Sequence, residues 1–318
     1  MWRLEGRTDL PGAVATAAGL ALPLSAATWT GHARVGVILT LPIVLIAIPL
    51  DVPTPGLERV RVLGVRVVGI ALSGVCVGLI GGRAWVLVPA VAAAAALGAL
   101  TPTIGPTPAL ALVLIGTPAN AVAFGIAGLP QLVGGLWGLA VTTPEWSRIL
   151  RRDDSRPPVA PGSAQPDPFR AAGQGVAVGA ASAVMAAVGH LTGEGHWLVT
   201  SVLLTLRRTH RATLARARDR AVGNIAGCLL AALLLSLHPT VWVLVAILVV
   251  SAIVAYGLRP ANYLYWALAF PILVLTLADL GQPVTPDTAA VRAALVVAGG
   301  LFALAASWSL HLVRPTSD

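Results

Sequence analysis

The 318-residue chain contains no lysine, and charged residues make up only 11% of it, against roughly 25% in a soluble domain. With 57% hydrophobic residues, a water-soluble core is excluded. Cysteine is scarce too. Cys76 and Cys228 both lie inside apolar segments, and neither has a CxxC or Cys/His spacing. They read as small buried hydrophobes, so no disulfide and no metal site is expected. Catalytic signatures are missing as well: there is no GxSxG, no HExxH, no P-loop, no GxGxxG between strand and helix, and no close acid pair in an apolar segment. The chain is therefore not expected to be an enzyme, to need a cofactor, or to contain its own ATP-driven motor.

What is present is a succession of apolar blocks about 17 to 24 residues long, the length a helix needs to cross roughly 30 Å of hydrocarbon. Lipid offers no partner to an open backbone, so each block must be a helix. The predicted fold is all-α and polytopic, with about twelve membrane helices. Six are expected near Leu10 to Ala27, Ala33 to Leu50, Glu58 to Gly82, Ala84 to Leu100, Pro106 to Ile126 and Leu129 to Trp146. A second six are expected near Phe169 to His190, His196 to Leu206, Leu214 to Leu237, Pro239 to Gly257, Ala261 to Ala278 and Thr288 to Leu312. Residues 1–146 and 169–318 form two six-helix modules, joined by a Pro/Arg-rich linker, 147–168, that is too polar for lipid. Arg3 and Arg7 are read as leading an uncleaved first helix.

The net charge of +8 comes from 21 arginines. If the N-terminus is cytoplasmic, eighteen of them fall on the cytoplasmic side, and only Arg34, Arg83 and Arg292 lie near the outer side. That bias orients both termini and the linker toward the cytoplasm, and it accounts for the basic balance without nucleic acid. Membrane lipids are the expected surroundings, and the cytoplasmic membrane the expected location.

The halves repeat one another. Gly31-His32 precede a run ending Thr40-Leu41, as Gly195-His196 precede one ending Thr205-Leu206. Arg66-Val-Val-Gly69 matches Arg220-Ala-Val-Gly223, and GGLWGLA (Gly134 to Ala140) matches GGLFALA (Gly299 to Ala305). Two co-oriented repeats would be related by an axis along the membrane normal. Glycines four apart (Gly74, Gly78 and Gly82; Gly223 and Gly227; Gly134 and Gly138) and the Gly299, Ala303, Ser307 series predict close helix packing within the chain, with a homo-oligomer seam as the alternative.

The segment Thr213 to Leu234, preceded by GHWLVTSVLLTLRRT (Gly195 to Thr209) and followed by PANYLYWALAF (Pro260 to Phe270) and AAVRAALVVAGGLFALA (Ala289 to Ala305), resembles the membrane module of the fusaric acid resistance and aromatic acid exporter superfamily. In that module an R-x-x-G-T-x-x-G begins the third helix. Here Arg220, Gly223 and Gly227 match, and Asn224 stands at the threonine. The resemblance implies a secondary, proton-linked exporter of small aromatic or other organic acids. An anion channel of the same architecture and a non-transporting membrane scaffold are the alternatives.

Ionisable groups at membrane depth are costly and are candidates for function by default. Arg66 and Arg220 begin their helices at matched positions, with Arg207 and Arg208 close to Arg220 in sequence. Guanidiniums gathered at a cavity would hold a carboxylate by charge and paired hydrogen bonds; the competing reading is anchoring to lipid phosphate. Arg292, on the outer side against the charge rule, is a further substrate-binding candidate unless Asp287 or Asp279 pairs with it, and Asn224 is a polar one. Asp219 is the candidate for proton coupling, although its arginine neighbours favour an ion pair. His32 and His196 are matched but expected in outer loops, and Trp29, Trp85, Trp146, Trp197 and Trp308 fall at helix ends, where an interfacial belt explains them.

Overall fold

The computed structural model describes residues 8–48, 56–81, 83–101, 104–116, 128–143, 167–192, 194–281 and 286–314. Among them the chain forms twelve α-helices and no strand: α1 Leu10–Trp29, α2 Ala33–Ile46, α3 Gly56–Ile80, α4 Ala84–Leu100, α5 Thr107–Ile115, α6 Leu129–Thr142, α7 Pro168–Thr192, α8 His196–Thr205, α9 His210–Ser236, α10 Val241–Leu258, α11 Tyr263–Gly281 and α12 Pro286–Val313. The helices stand where the apolar blocks predict them. Arg3, Arg7, Gly82, Trp146, the linker from 147 to 166 with Arg148, Arg151, Arg152 and Arg156, and the expected second half of the fifth helix lie outside the described residues.

The lengths differ from expectation. Among the described residues six helices are long and apolar enough to cross a bilayer: α1, α3, α9, α10, α11 and α12. The apolar helices α2, α4, α6 and α8 are shorter, at 10–17 residues. With ten residues α8 rises only about 15 Å, half the hydrocarbon thickness. It ends where Leu206 turns to an extended backbone at φ −62° and ψ 128°, and the arginine pair follows. A short helix in lipid would expose its terminal carbonyls, so α8 lies inside the protein: every residue from Trp197 to Thr205 is buried. Of the nine residues of α5, all but Pro108 are likewise buried.

The packing is two-fold in pattern. In the first six helices α1 packs on α2, α2 on α6, α6 on α3, α3 on α5 and α5 on α4. The same sequence of pairings recurs as α7 on α8, α8 on α12, α12 on α9, α9 on α11 and α11 on α10. Between the sixes, α1 lies on α10 as α7 lies on α4, and α2 meets α11 as α8 meets α5. Two hydrogen bonds illustrate the ties across this frame: Tyr256 Oη of α10 donates to the Val44 carbonyl of α2 at 3.3 Å, and Trp137 Nε1 of α6 to the Gly19 carbonyl of α1 at 3.0 Å.

Small residues make these approaches possible. Gly134 of α6 sits against the Leu39 carbonyl of α2, and its counterpart Gly299 of α12 against the Leu198 carbonyl of α8. Gly223 and Gly227 of α9 meet α11 at Ala267 and at the Leu268 carbonyl. These glycine faces are thus filled by helices of the same chain. The opposite faces are apolar and open. Along α3 Val65, Val68, Leu72, Val75 and Leu79 form one exposed stripe at alternating spacings of three and four, as a lipid-facing surface requires.

Candidate functional site

Three of the largest fully buried side chains are arginines, Arg66, Arg220 and Arg292. A buried guanidinium is retained only where something offsets its lost hydration, and the three meet very different partners. Arg66, 2% exposed on α3, reaches the end of α2: Nη1 donates to the Ile48 carbonyl at 2.6 Å and to the Ile46 carbonyl at 3.5 Å. It satisfies carbonyls left open at a helix C-terminus and meets the negative end of that helix dipole. Two turns closer to the start of α3, Arg59 Nη2 does the same for Thr142 at the end of α6, at 3.5 Å.

Arg220 occupies the matched position on α9, yet it caps nothing. Position 213 of α9, the counterpart of Arg59, is a threonine, and its hydroxyl holds the turn after α8: Arg207 N–H donates to Thr213 Oγ1 at 3.0 Å, and Thr213 Oγ1 donates to the Thr209 carbonyl at 3.0 Å. With that turn already tied, Arg220 points to α11 instead. Its Nη1 donates to Tyr263 Oη at 3.2 Å, while Nε and Nη2 are buried with no hydrogen-bond partner. Asn224, one turn further along α9, donates through Nδ2 to the Arg220 carbonyl at 2.9 Å.

Around Arg220 stands an aromatic column. On α11, Tyr263 stacks on Trp266 with centroids 5.2 Å apart, and Trp266 on Phe270 at 4.5 Å. Arg216 lies over Tyr263 at 3.6 Å, and Arg259 and Arg220 lie over Trp266 at 5.0 and 5.7 Å. Stacked aromatic faces stabilise the cations without neutralising them.

Arg292 of α12, 2% exposed, covers the ring of Trp197 at the start of α8, 3.3 Å from its centroid. Its Nε and Nη2 are also buried without hydrogen-bond partners. It lies within electrostatic reach of Arg220, of Cys228 two turns along α9, and of Glu194 just before α8.

The other predicted residues stand apart from this centre. Arg208 is exposed and Arg207 half-buried in the turn between α8 and α9, where Arg170 donates to the Arg208 carbonyl. Asp219 is held by its neighbour Arg218 at 3.2 Å. His32 is exposed at the start of α2, and His196 lies against the Trp197 ring at 4.6 Å. Trp29, Trp85 and Trp308 are exposed, as belt residues are, but Trp197 is 4% exposed and belongs to the interior. Because the ten-residue α8 is enclosed by other helices, its tryptophan faces protein and not the lipid interface. Among the described residues no group of three His, Cys, Asp or Glu could hold a metal ion.

Residues 178–306, from the middle of α7 to α12, match the sequence model of a family described as fusaric acid resistance protein-like. The match lies entirely within the second half of the chain. The match contains Arg220, Arg292, Asn224, Trp197 and the aromatic column, and it excludes Arg66. No curated protein and no solved structure matches the chain. Together with the long apolar helices, this similarity makes the chain a multi-pass membrane protein. Sequence reasoning did not single out Trp266 or Glu194. An aromatic series at 263, 266 and 270 on one face of α11, opposite arginines at 216 and 220 on α9, was the available signal.

Proposed function

We propose that the protein is a secondary transporter that exports small aromatic or other organic acids in a proton-linked cycle, and that Arg220 and Arg292 form its substrate site. The carrying observation is a pair of buried guanidiniums on adjacent helices, α9 and α12, whose Nε and Nη2 lack hydrogen-bond partners. Buried donors left open cost about 1–3 kcal/mol each, and more when charged, so an anionic ligand is the natural complement. The aromatic column beside Arg220 offers an apolar, cation-bearing wall suited to organic rather than inorganic anions. Export and proton linkage come from the family resemblance. In this reading all twelve helices, with the short ones buried among the long, build two co-oriented repeats across the cytoplasmic membrane, with both termini and the linker cytoplasmic. The recurrent helix pairings support the duplication.

Proteoliposomes loaded with a radiolabelled aromatic acid, with and without a pH gradient, test the proposal. Gradient-driven accumulation is expected. Purely dissipative flux would make the protein an anion channel, and no flux of any acid would make it a scaffold. Arg220→Ala is expected to abolish flux while the protein still inserts; undiminished flux would remove Arg220 from the site.

A further inference from the structure

We infer that Trp266 binds the transported anion directly, its indole N–H and the open edge of Arg220 holding one and the same carboxylate. This rests on Arg220 as a substrate-binding residue in the transporter reading, and it adds a second donor and a purpose for the aromatic column. The two side chains lie side by side, with Arg220 Cζ 5.7 Å from the centre of the Trp266 ring. Tyr263 ties them together: its Oη accepts from Arg220 Nη1 at 3.2 Å, and its ring stacks on Trp266 at 5.2 Å. Three buried donors in this contact have no acceptor, Nε and Nη2 of Arg220 and Nε1 of Trp266. Arg220 is 1% exposed and Trp266 0%, so bulk solvent reaches none of them.

A buried indole N–H ordinarily finds an acceptor, and this one has none although its ring is enclosed. On α11 positions 263, 266 and 270 form one stripe with Trp266 in the middle, and Tyr263 and Phe270 stack on it at interplanar angles of 26° and 23°. Arg259 adds a guanidinium 5.0 Å from the ring centre. No face of the indole is left for an aromatic substrate to stack on. The column therefore acts as a clamp that fixes the direction of the Trp266 N–H, which lies in the ring plane, and the polar rim of the ring is what meets a ligand. All three open groups are donors, so the complement is an acceptor with several lone pairs. The carboxylate nearest in sequence to Arg220, that of Asp219, is already held by Arg218 at 3.2 Å. A bound carboxylate brings about four lone-pair sites on two oxygens. Two meet the parallel N–H bonds along the arginine edge, and a further one on the nearer oxygen serves the indole. A neutral ligand leaves the charge of Arg220 buried and uncompensated. The site thus reads the acid group and is indifferent to whether the ring attached to it is aromatic.

The experiment is calorimetric titration of the full chain in lipid nanodiscs with benzoate, cyclohexanecarboxylate and neutral benzamide, for the wild type and for Trp266→Phe. Phenylalanine keeps a ring in the stack and removes the N–H donor. The two acids are expected to bind the wild type within a few-fold of one another and benzamide far more weakly. Trp266→Phe is expected to weaken both acids equally, by about 10-fold, as loss of one hydrogen bond to a charged group does. Unchanged affinity of both acids in the variant would overturn the inference, as would benzamide binding as tightly as benzoate. A loss confined to benzoate overturns it too, because that marks Trp266 as a stacking platform. Should the variant fail to fold, indole nitrogen-15 spectra of the wild type decide: one of the nine tryptophan N–H resonances is expected to move downfield on saturation with either acid, and a spectrum in which none moves overturns the inference. Flux of acids with their affinity untouched by Trp266→Phe sinks this inference and leaves the transporter standing; acid binding that Trp266→Phe weakens, without flux, does the reverse.

Discussion

At the scale of single residues, the two matched arginines show how one sequence position acquires two uses. Arg66 and Arg220 both open an Arg-x-Val-Gly segment. The difference lies seven residues earlier, where Arg59 reaches the end of α6 while Thr213 ties the turn after α8. Arg66 is left to hold α2, and Arg220 turns to Tyr263. Replacing Arg66 by Gln is expected to lower unfolding stability by about 1–3 kcal/mol, because buried carbonyls at the end of α2 lose their donor. Anion affinity in that variant should stay at the wild-type level. Thermal unfolding in detergent followed by calorimetry of the folded fraction checks both parts, and a loss of affinity matching that of Arg220→Gln would return Arg66 to the site. Trp197 carries the opposite lesson: its place at a helix end suggested a belt residue, and it lies buried beneath Arg292, beside the proposed site.

At the scale of elements, close approach and short helices set the architecture. The α9–α11 contact that presents Tyr263 and Trp266 to Arg220 depends on Gly223 and Gly227, where a Cβ on Gly223 would lie 2.6 Å from Ala267 Cβ and one on Gly227 would collide with the Leu268 carbonyl. Gly227→Leu is therefore expected to cost about 1–3 kcal/mol or more through overpacking, and to weaken anion binding by pushing α11 away. Gly64 of α3 has nothing within 4 Å of its Cβ position, so Gly64→Ala should stabilise by about 0.5–1 kcal/mol through helix propensity alone. Melting curves of the two variants side by side measure the contrast; equal and opposite signs to those given would show that the α9–α11 contact is not tight. Four-residue glycine spacing was legible in the sequence. Which helix each glycine meets was not, because spacing identifies a face and not its neighbour.

At the scale of the whole molecule, the arginine distribution and the paired pattern of helix packing belong together. In the proposed orientation, with both termini and the 147–168 linker cytoplasmic, single cysteines at Ser155 and Ser317, in a background lacking Cys76 and Cys228, should resist a membrane-impermeant maleimide in intact cells and react once the cells are opened. A cysteine at Gly31 should react without opening, since Gly31 is exposed between α1 and α2. Labelling of Ser155 from outside would invert the orientation.

Composition and block length by themselves determined an all-helical membrane protein, because hydrocarbon thickness and backbone hydrogen bonding leave an apolar sequence no other option. Tertiary structure alone decided that α5 and α8 are buried instead of lipid-facing, that Arg66 is a cap, and that Arg220 and Arg292 keep open edges among aromatic rings. A guanidinium's role depends on which carbonyls, hydroxyls and rings neighbouring helices bring within about 3–6 Å, and that information is carried by no local stretch of sequence.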